Sequence, residues 1–188
     1  MKAFFWGVVT MIVLMILGGA IFVWSGIYNV AADVPHYKVT FLLLDEARES
    51  SVAFHSKGIV PPSLEGDKLV NVGLPHFHET CRLCHGAPGA HSAEFAVGLY
   101  PVPPSLVSDD VQHDLSDAEL FWVVKSGLKM TGMPSFGKTY SEEQIWGIVA
   151  FLRRLPKLAP EEYGAMLKTE MERNGGKEGQ ELEHKGPS

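Results

Sequence analysis

The sequence predicts an all-α chain with three parts: a helix of membrane length, a helical spacer and a small helical domain. Three observations carry this. Residues Ala3–Trp24 form an uncharged, mostly apolar run of 22 residues. Two Ser-x-x-Glu/Gln capping boxes, Ser116 with Glu119 and Ser141 with Gln144, each open a helix. No segment has the apolar–polar alternation of a half-buried strand.

The 188 residues suit one domain with appendages. Hydrophobic residues make up 46% and charged residues 20%, which excludes a wholly disordered, collagen-like or multi-span membrane chain. The average hides an asymmetry, because no residue from Ala3 to Ala32 is charged. From Asp33 onward, 15 Lys and Arg face 22 carboxylates. So acidic a domain is a poor nucleic-acid binder, since phosphate neutralisation needs clustered cations. The two cysteines, Cys81 and Cys84, lie in one local motif, so no long-range disulfide staples the fold.

As a helix, Ala3–Trp24 spans roughly 33 Å, one bilayer crossing. Lys2 precedes it, and Trp6, Trp24 and Tyr28 sit near its ends as interfacial anchors. The expected topology puts the N-terminus inside and the bulk outside, on the periplasmic side of a bacterial cytoplasmic membrane. The alternative is a cleaved signal ending at Val30-Ala31-Ala32, against which the apolar run is longer than a signal core. Asp33 as N-cap and Pro35 in the first turn predict a helix from His36 to about His55, with Val39, Leu42, Leu43, Val52 and Phe54 as an imperfect apolar face. Gly58 to Gly66, with Pro61-Pro62, reads as a semi-rigid linker. A helix follows from about Lys68 to Cys84, then a Gly- and Pro-rich loop from Gly86 to Pro104. The capping boxes open helices Asp117–Gly127 and Glu142–Leu155, the second stopped by Pro156. Glu161 to Lys168 reads as a short helix, and Thr169 to Ser188 as a charged, Gly-rich, disordered tail. The expected organisation is therefore an anchor (1–32), a spacer and linker (33–66), a domain (67–158) and a mostly disordered extension (159–188).

The chemistry resides in Cys81-Arg82-Leu83-Cys84-His85, a C-x-x-C-H motif, the pattern of c-type haem attachment. Two thiols three positions apart each add to a haem vinyl group, and His85 is held under the iron as proximal ligand. Three other readings compete. A thioredoxin-like pair needs a strand–helix context and leaves His85 without a role. A structural zinc site needs a fourth ligand from His76, His78 or His91. Chance recurrence is the third. For the sixth position of a haem iron, Met130 and Met133 compete. Met133 is favoured because Pro134 biases it toward an extended conformation; His91 and His113 are further candidates. Gly86, Gly89 and Gly98 permit tight turns beside a flat cofactor. A carbonyl among Pro101, Pro103 and Pro104 is placed to accept the second ring N–H of His85, and Leu106 to pack on the haem. Phe77, Phe95, Tyr100, Trp122, Phe136 and Trp146 are candidate pocket or core aromatics.

From Lys68 to Leu155 the chain resembles the class I cytochromes c, in the membrane-anchored monohaem form of bacterial respiratory chains. The resemblance rests on an ordered series: Cys81-x-x-Cys84-His85-Gly86, Pro103-Pro104-Ser105-Leu106, Gly132-Met133-Pro134-Ser135-Phe136, and the helix through Trp146 and Phe151-Leu152. It implies a small all-α fold around one covalently bound haem c. Cys81 and Cys84 would be the attachments, and His85 and Met133 the axial ligands of the iron. It implies an electron-transfer protein rather than an enzyme, with redox proteins, above all membrane complexes, as partners. The insert 33–55 and the tail after Ala159 depart from the minimal pattern and are candidate docking surfaces.

Three functions fit. The first is a tethered one-electron carrier whose Arg82, Lys125, Lys129 and Lys138 form a positive rim for acidic partners. The second is a fixed cytochrome c subunit of a multi-subunit oxidase, reductase or dehydrogenase. The third is a haem enzyme or gas sensor with a displaceable sixth ligand, against which Met133 stands.

Overall fold

The computed structural model describes residues 1–108 and 114–184. It contains two compact units, Met1–His36 and Tyr37–Ser188. Among the described residues there are helices and turns but no strand, apart from an isolated bridge between Ala87 and Ala90.

The first unit is helix α1 (Lys2–Ser25), closed by Gly26 in the left-handed region at φ 66°. It is long and apolar enough to cross a membrane, and none of its residues is buried. The chain does not turn into the spacer helix at Asp33. Pro35 disfavours a helical Val34, and His36 is tied back to Tyr28 by a 2.7 Å hydrogen bond. Helix α2 (Lys38–His55) starts later, with Tyr37 at the N-cap and no side-chain cap.

The second unit is built on one crossing. Helix α3 (Asp67–His76) lies across helix α6 (Glu142–Arg154) at Gly73 and Gly147, where the backbones touch. A methyl group on Gly73 would fall 2.0 Å from the Gly147 carbonyl oxygen, and one on Gly147 would fall 2.9 Å from the Gly73 nitrogen. Around this contact Val70, Leu74 and Phe77 meet Ile145, Ile148, Phe151 and Leu152, all buried. The rings of Phe77 and Phe151 are 5.0 Å apart. Dense apolar contact of this kind is the main stabilising term in a small domain.

Between α3 and α6 runs a short helix, α4 (Arg82–His85), and then helix α5 (Asp117–Ser126). Both expected capping boxes are formed. The Ser116 and Ser141 hydroxyls accept from the Glu119 and Gln144 amides, and the Glu119 and Gln144 side chains accept from the Ser116 and Ser141 amides. Phe121 stacks on Trp146 at 4.2 Å, and Arg153 of α6 bonds Asp117 and the Leu115 carbonyl, locking α5 to α6.

The spacer and the C-terminal segment both pack on this core. Val52 of α2 is buried, the His55 ring stacks on Trp122, and Ile59 and Leu64 of the linker lie against the core. Helix α7 (Pro160–His184) contains the expected short helix Glu161–Lys168 and runs on as helix into the segment from Thr169 that was expected to be disordered. Tyr163, Met166, Leu167 and Glu170 recur at helical spacing and turn one face inward, while Glu170 pairs with Arg173.

Candidate cofactor site

The attachment motif ends a helix that begins in the α3–α6 crossing. Pro75 lies inside α3, where its ring opposes the Asn71 carbonyl and it offers no N–H. Two residues later the chain widens into a π-helical turn over Phe77–Cys81, marked by the Arg82 amide bonding the Phe77 carbonyl. Two carbonyls in this stretch accept from side chains. Thr80 Oγ1 donates to His76 O at 2.6 Å, and Arg82 Nε donates to His78 O at 2.5 Å. Such turns concentrate at functional sites because they re-aim the residues that follow. Here those residues are Cys81, half-buried against the core, and Cys84, also half-buried, both free thiols. Burial pushes the Cys81 thiol above its usual range, partly opposed by the Thr80 hydroxyl 3.6 Å from Sγ. Cys81 is therefore a neutral thiol at pH 7, unlike an activated redox cysteine.

His85 closes α4, and Gly86 at φ 75° turns the chain away, a conformation that favours glycine. His85 Nδ1 donates to the Pro104 carbonyl at 2.7 Å, as expected of one of the three prolines. A carbonyl only accepts, so the proton sits on Nδ1 and the lone pair on Nε2. Burial holds the imidazole below its usual pKa and so favours the neutral form that can ligate, while the Pro104 bond pulls weakly the other way. After Gly86, Pro88 and Gly89 (φ 76°) make the turn that joins Ala87 to Ala90. A methyl on Gly89 would meet Pro160 at 2.9 Å, so the turn rests on the start of α7. Gly98 differs from its expected role: its φ lies outside the left-handed region and it faces open space.

Met133 lies in the loop after Gly127. Its carbonyl accepts from the Leu128 amide at 3.2 Å, and its amide donates to Thr131 Oγ1 at 3.1 Å. Thr131 Oγ1 in turn donates to Leu128 O. Met133 is half-buried against the core, whereas Met130 is 74% exposed with φ at 60°. Gly132 packs on Leu99, leaving only 2.8 Å for a methyl group. The methionine loop therefore touches the loop that follows the attachment motif.

The competing ligands are engaged elsewhere. The His76 ring lies 4.5 Å from Tyr140, and His78 Nδ1 is 2.8 Å from the Tyr163 hydroxyl. His91 is exposed. Among the described residues no three of His, Cys, Asp or Glu gather as a metal set, and His113 lies outside the described residues. Burial lowers the His78 pKa, with Arg82 adding to it and Glu79 opposing. Tyr163 is pushed up to about 12, chiefly by burial. The tyrosine is therefore the donor and the neutral histidine the acceptor. The expected cationic rim is thinner than four residues. Lys125 pairs with Glu142 at 2.6 Å and Arg82 backs the π turn, leaving Lys129 and Lys138 exposed. Of the candidate aromatics, Phe77 is core, Trp146 stacks on Phe121, Trp122 on His55, Phe136 on Tyr140, and Phe95 is exposed.

Sequence reasoning missed the helix crossing at Gly73 and Gly147, the supports Thr80, Thr131 and Leu99, and the Tyr163–His78 bond. One signal was available for the last: Pro160 followed by Glu161-Glu162 is a helix start, and positions 163, 166, 167 and 170 share a face.

Residues 68–152 match the family described as "Cytochrome C oxidase, cbb3-type, subunit III", so the chain carries a class I cytochrome c domain joined to a helix that fits a membrane anchor. No curated protein matches the chain. The domain class implies haem c and haem-based electron transfer. The residues fit that group, with two half-buried thiols one helical turn apart and an imidazole whose Nε2 is free of the Pro104 bond.

Proposed function

We propose that the protein transfers single electrons through one haem c, bound covalently by Cys81 and Cys84, with His85 and Met133 as the axial ligands. The observation that carries this is the His85 Nδ1–Pro104 bond directly after the cysteine pair. It fixes the tautomer and ring orientation that an iron ligand needs. The contrast between half-buried Met133 and exposed Met130 supports Met133 as the second ligand. Haem supplies a one-electron iron couple, and thioether ligation favours a high potential. The chain's own residues orient the imidazole, close the second axial position and hold the haem without relying on pocket affinity. With α1 as anchor, the domain works outside the bacterial cytoplasmic membrane, on the periplasmic side, in a respiratory or oxidoreductase chain.

A second reading, a fixed subunit of an oxidase, is favoured by the cbb3-type subunit III description of the matching family. Both readings use the same electron chemistry. Purification in mild detergent separates them: a stoichiometric larger partner supports the subunit, and a lone chain the tethered carrier. The shared claim is tested by the reduced protein, expected to keep its haem through denaturation and acidic organic extraction and to bind CO only slowly. Extractable haem or rapid CO binding contradicts it.

A further inference from the structure

The first two turns of α2 carry a feature that electron transfer does not use. Val39, Phe41, Leu42, Leu43 and Leu44 are all 39% exposed or more. The rest of the helix is different. Asp45, Glu46, Arg48 and Glu49 bring the charges, Arg48 pairs with Asp45 at 2.7 Å, and Val52 and His55 dock on the domain. The break falls between Leu44 and Asp45. Upstream, from Gly26 to Leu44, only Asp33 and Lys38 carry full charges, and Ile27, Val30, Val34 and Tyr37 are exposed as well. Apolar and aromatic residues thus recur from the membrane-length helix α1 into the start of α2, with Asp33 and Lys38 as the two charges between.

We propose that the first two turns of α2 insert into the lipid interface and give the haem domain a second membrane contact. The distribution of the side chains favours lipid over a protein groove. At 100° per residue Val39, Leu42 and Leu43 face one side of the helix, while Phe41 and Leu44 face the other. A groove covers one stripe, whereas a lipid phase accepts apolar groups all round. Lys38–Leu44 is about 10 Å long as a helix, comparable to the roughly 5–10 Å to which interfacial helices sink. The α2 docking through Val52 and His55 then ties the domain's orientation to the bilayer, and the domain does not swing on a free linker. This inference rests on α1 being retained as a membrane anchor.

The test uses the full haem-loaded chain in lipid vesicles, with a bimane fluorophore on one introduced cysteine at a time: Val39→Cys, Leu42→Cys, Ser50→Cys and Leu14→Cys. Quenching by lipids brominated on the acyl chain is compared with quenching by aqueous iodide. Positions 39, 42 and 14 are expected to be quenched by the brominated lipids and protected from iodide, with the order inverted at position 50. Iodide quenching at 39 and 42 equal to that at 50 overturns the proposal. Protection from both quenchers at 39 and 42 also overturns it, because a protein surface then covers them. Iodide quenching at position 14 shows that the anchor reading itself has failed.

Discussion

The two segments proposed to ligate the haem iron are held in different ways. The His85 side is part of the fold. Its helix starts in the Gly73–Gly147 crossing, its π turn is backed by Thr80 and Arg82, its ring is tied to Pro104, and the turn beyond it rests on Pro160. The Met133 side is a loop, held by Thr131, the Leu128 amide and the contact of Gly132 with Leu99. The difference teaches that the domain can lose its methionine ligand and stay folded, whereas disturbing the base of the histidine side costs the fold.

The largest expected effect comes from removing the attachment points. Cys81→Ala with Cys84→Ala leaves no haem on the denatured chain, read by haem staining of a denaturing gel. Next is Gly147→Ala, which forces a methyl into the Gly73 backbone 2.9 Å away. It is expected to cost about 3 kcal/mol in denaturant unfolding, and both ligand segments should be lost in one transition. Tyr163→Phe removes the bond to His78 and loosens α7. A loss of about 1 kcal/mol is expected, with unchanged iron–methionine absorption. Thr131→Val sharpens the contrast from the other side. It leaves global unfolding within about 0.5 kcal/mol and weakens the iron–methionine band on mild warming.

Acid should act on the supports of the histidine helix. Burial holds His76 and His78 below the ordinary histidine value of about 6.5, so the unfolded chain takes up their protons first. Their contribution is complete above pH 6.5 and is lost as pH falls through the window below it. Unfolding midpoints measured across pH 7.5 to 5 should fall over that window, and less so in His78→Asn.

The helical class, the capped helices α5 and α6 and the C-x-x-C-H motif were readable because each is local. Ser116 with Glu119 and Ser141 with Gln144 specify their helix starts within four residues, and the motif specifies its chemistry within five. The Pro104 partner was readable as one of three prolines. The rest depended on distant segments. Gly73 and Gly147 look like ordinary helix-weakening glycines until the chain crosses itself. The π turn arises after a Pro75 that local rules treat as a helix breaker. Asp33 had the composition of a cap, but His36 is drawn to Tyr28 instead. The segment from Thr169 is charged and Gly-rich enough to look disordered, yet it continues the helix that Tyr163, Met166 and Leu167 dock on the core.

The central claim, His85 and Met133 on one haem iron, is tested most directly by the weak far-red sulfur-to-iron absorption of the ferric protein. The band should be present in the native chain, absent in Met133→Ala and intact in Met130→Ala. A band that survives Met133→Ala, or vanishes in Met130→Ala, contradicts the assignment.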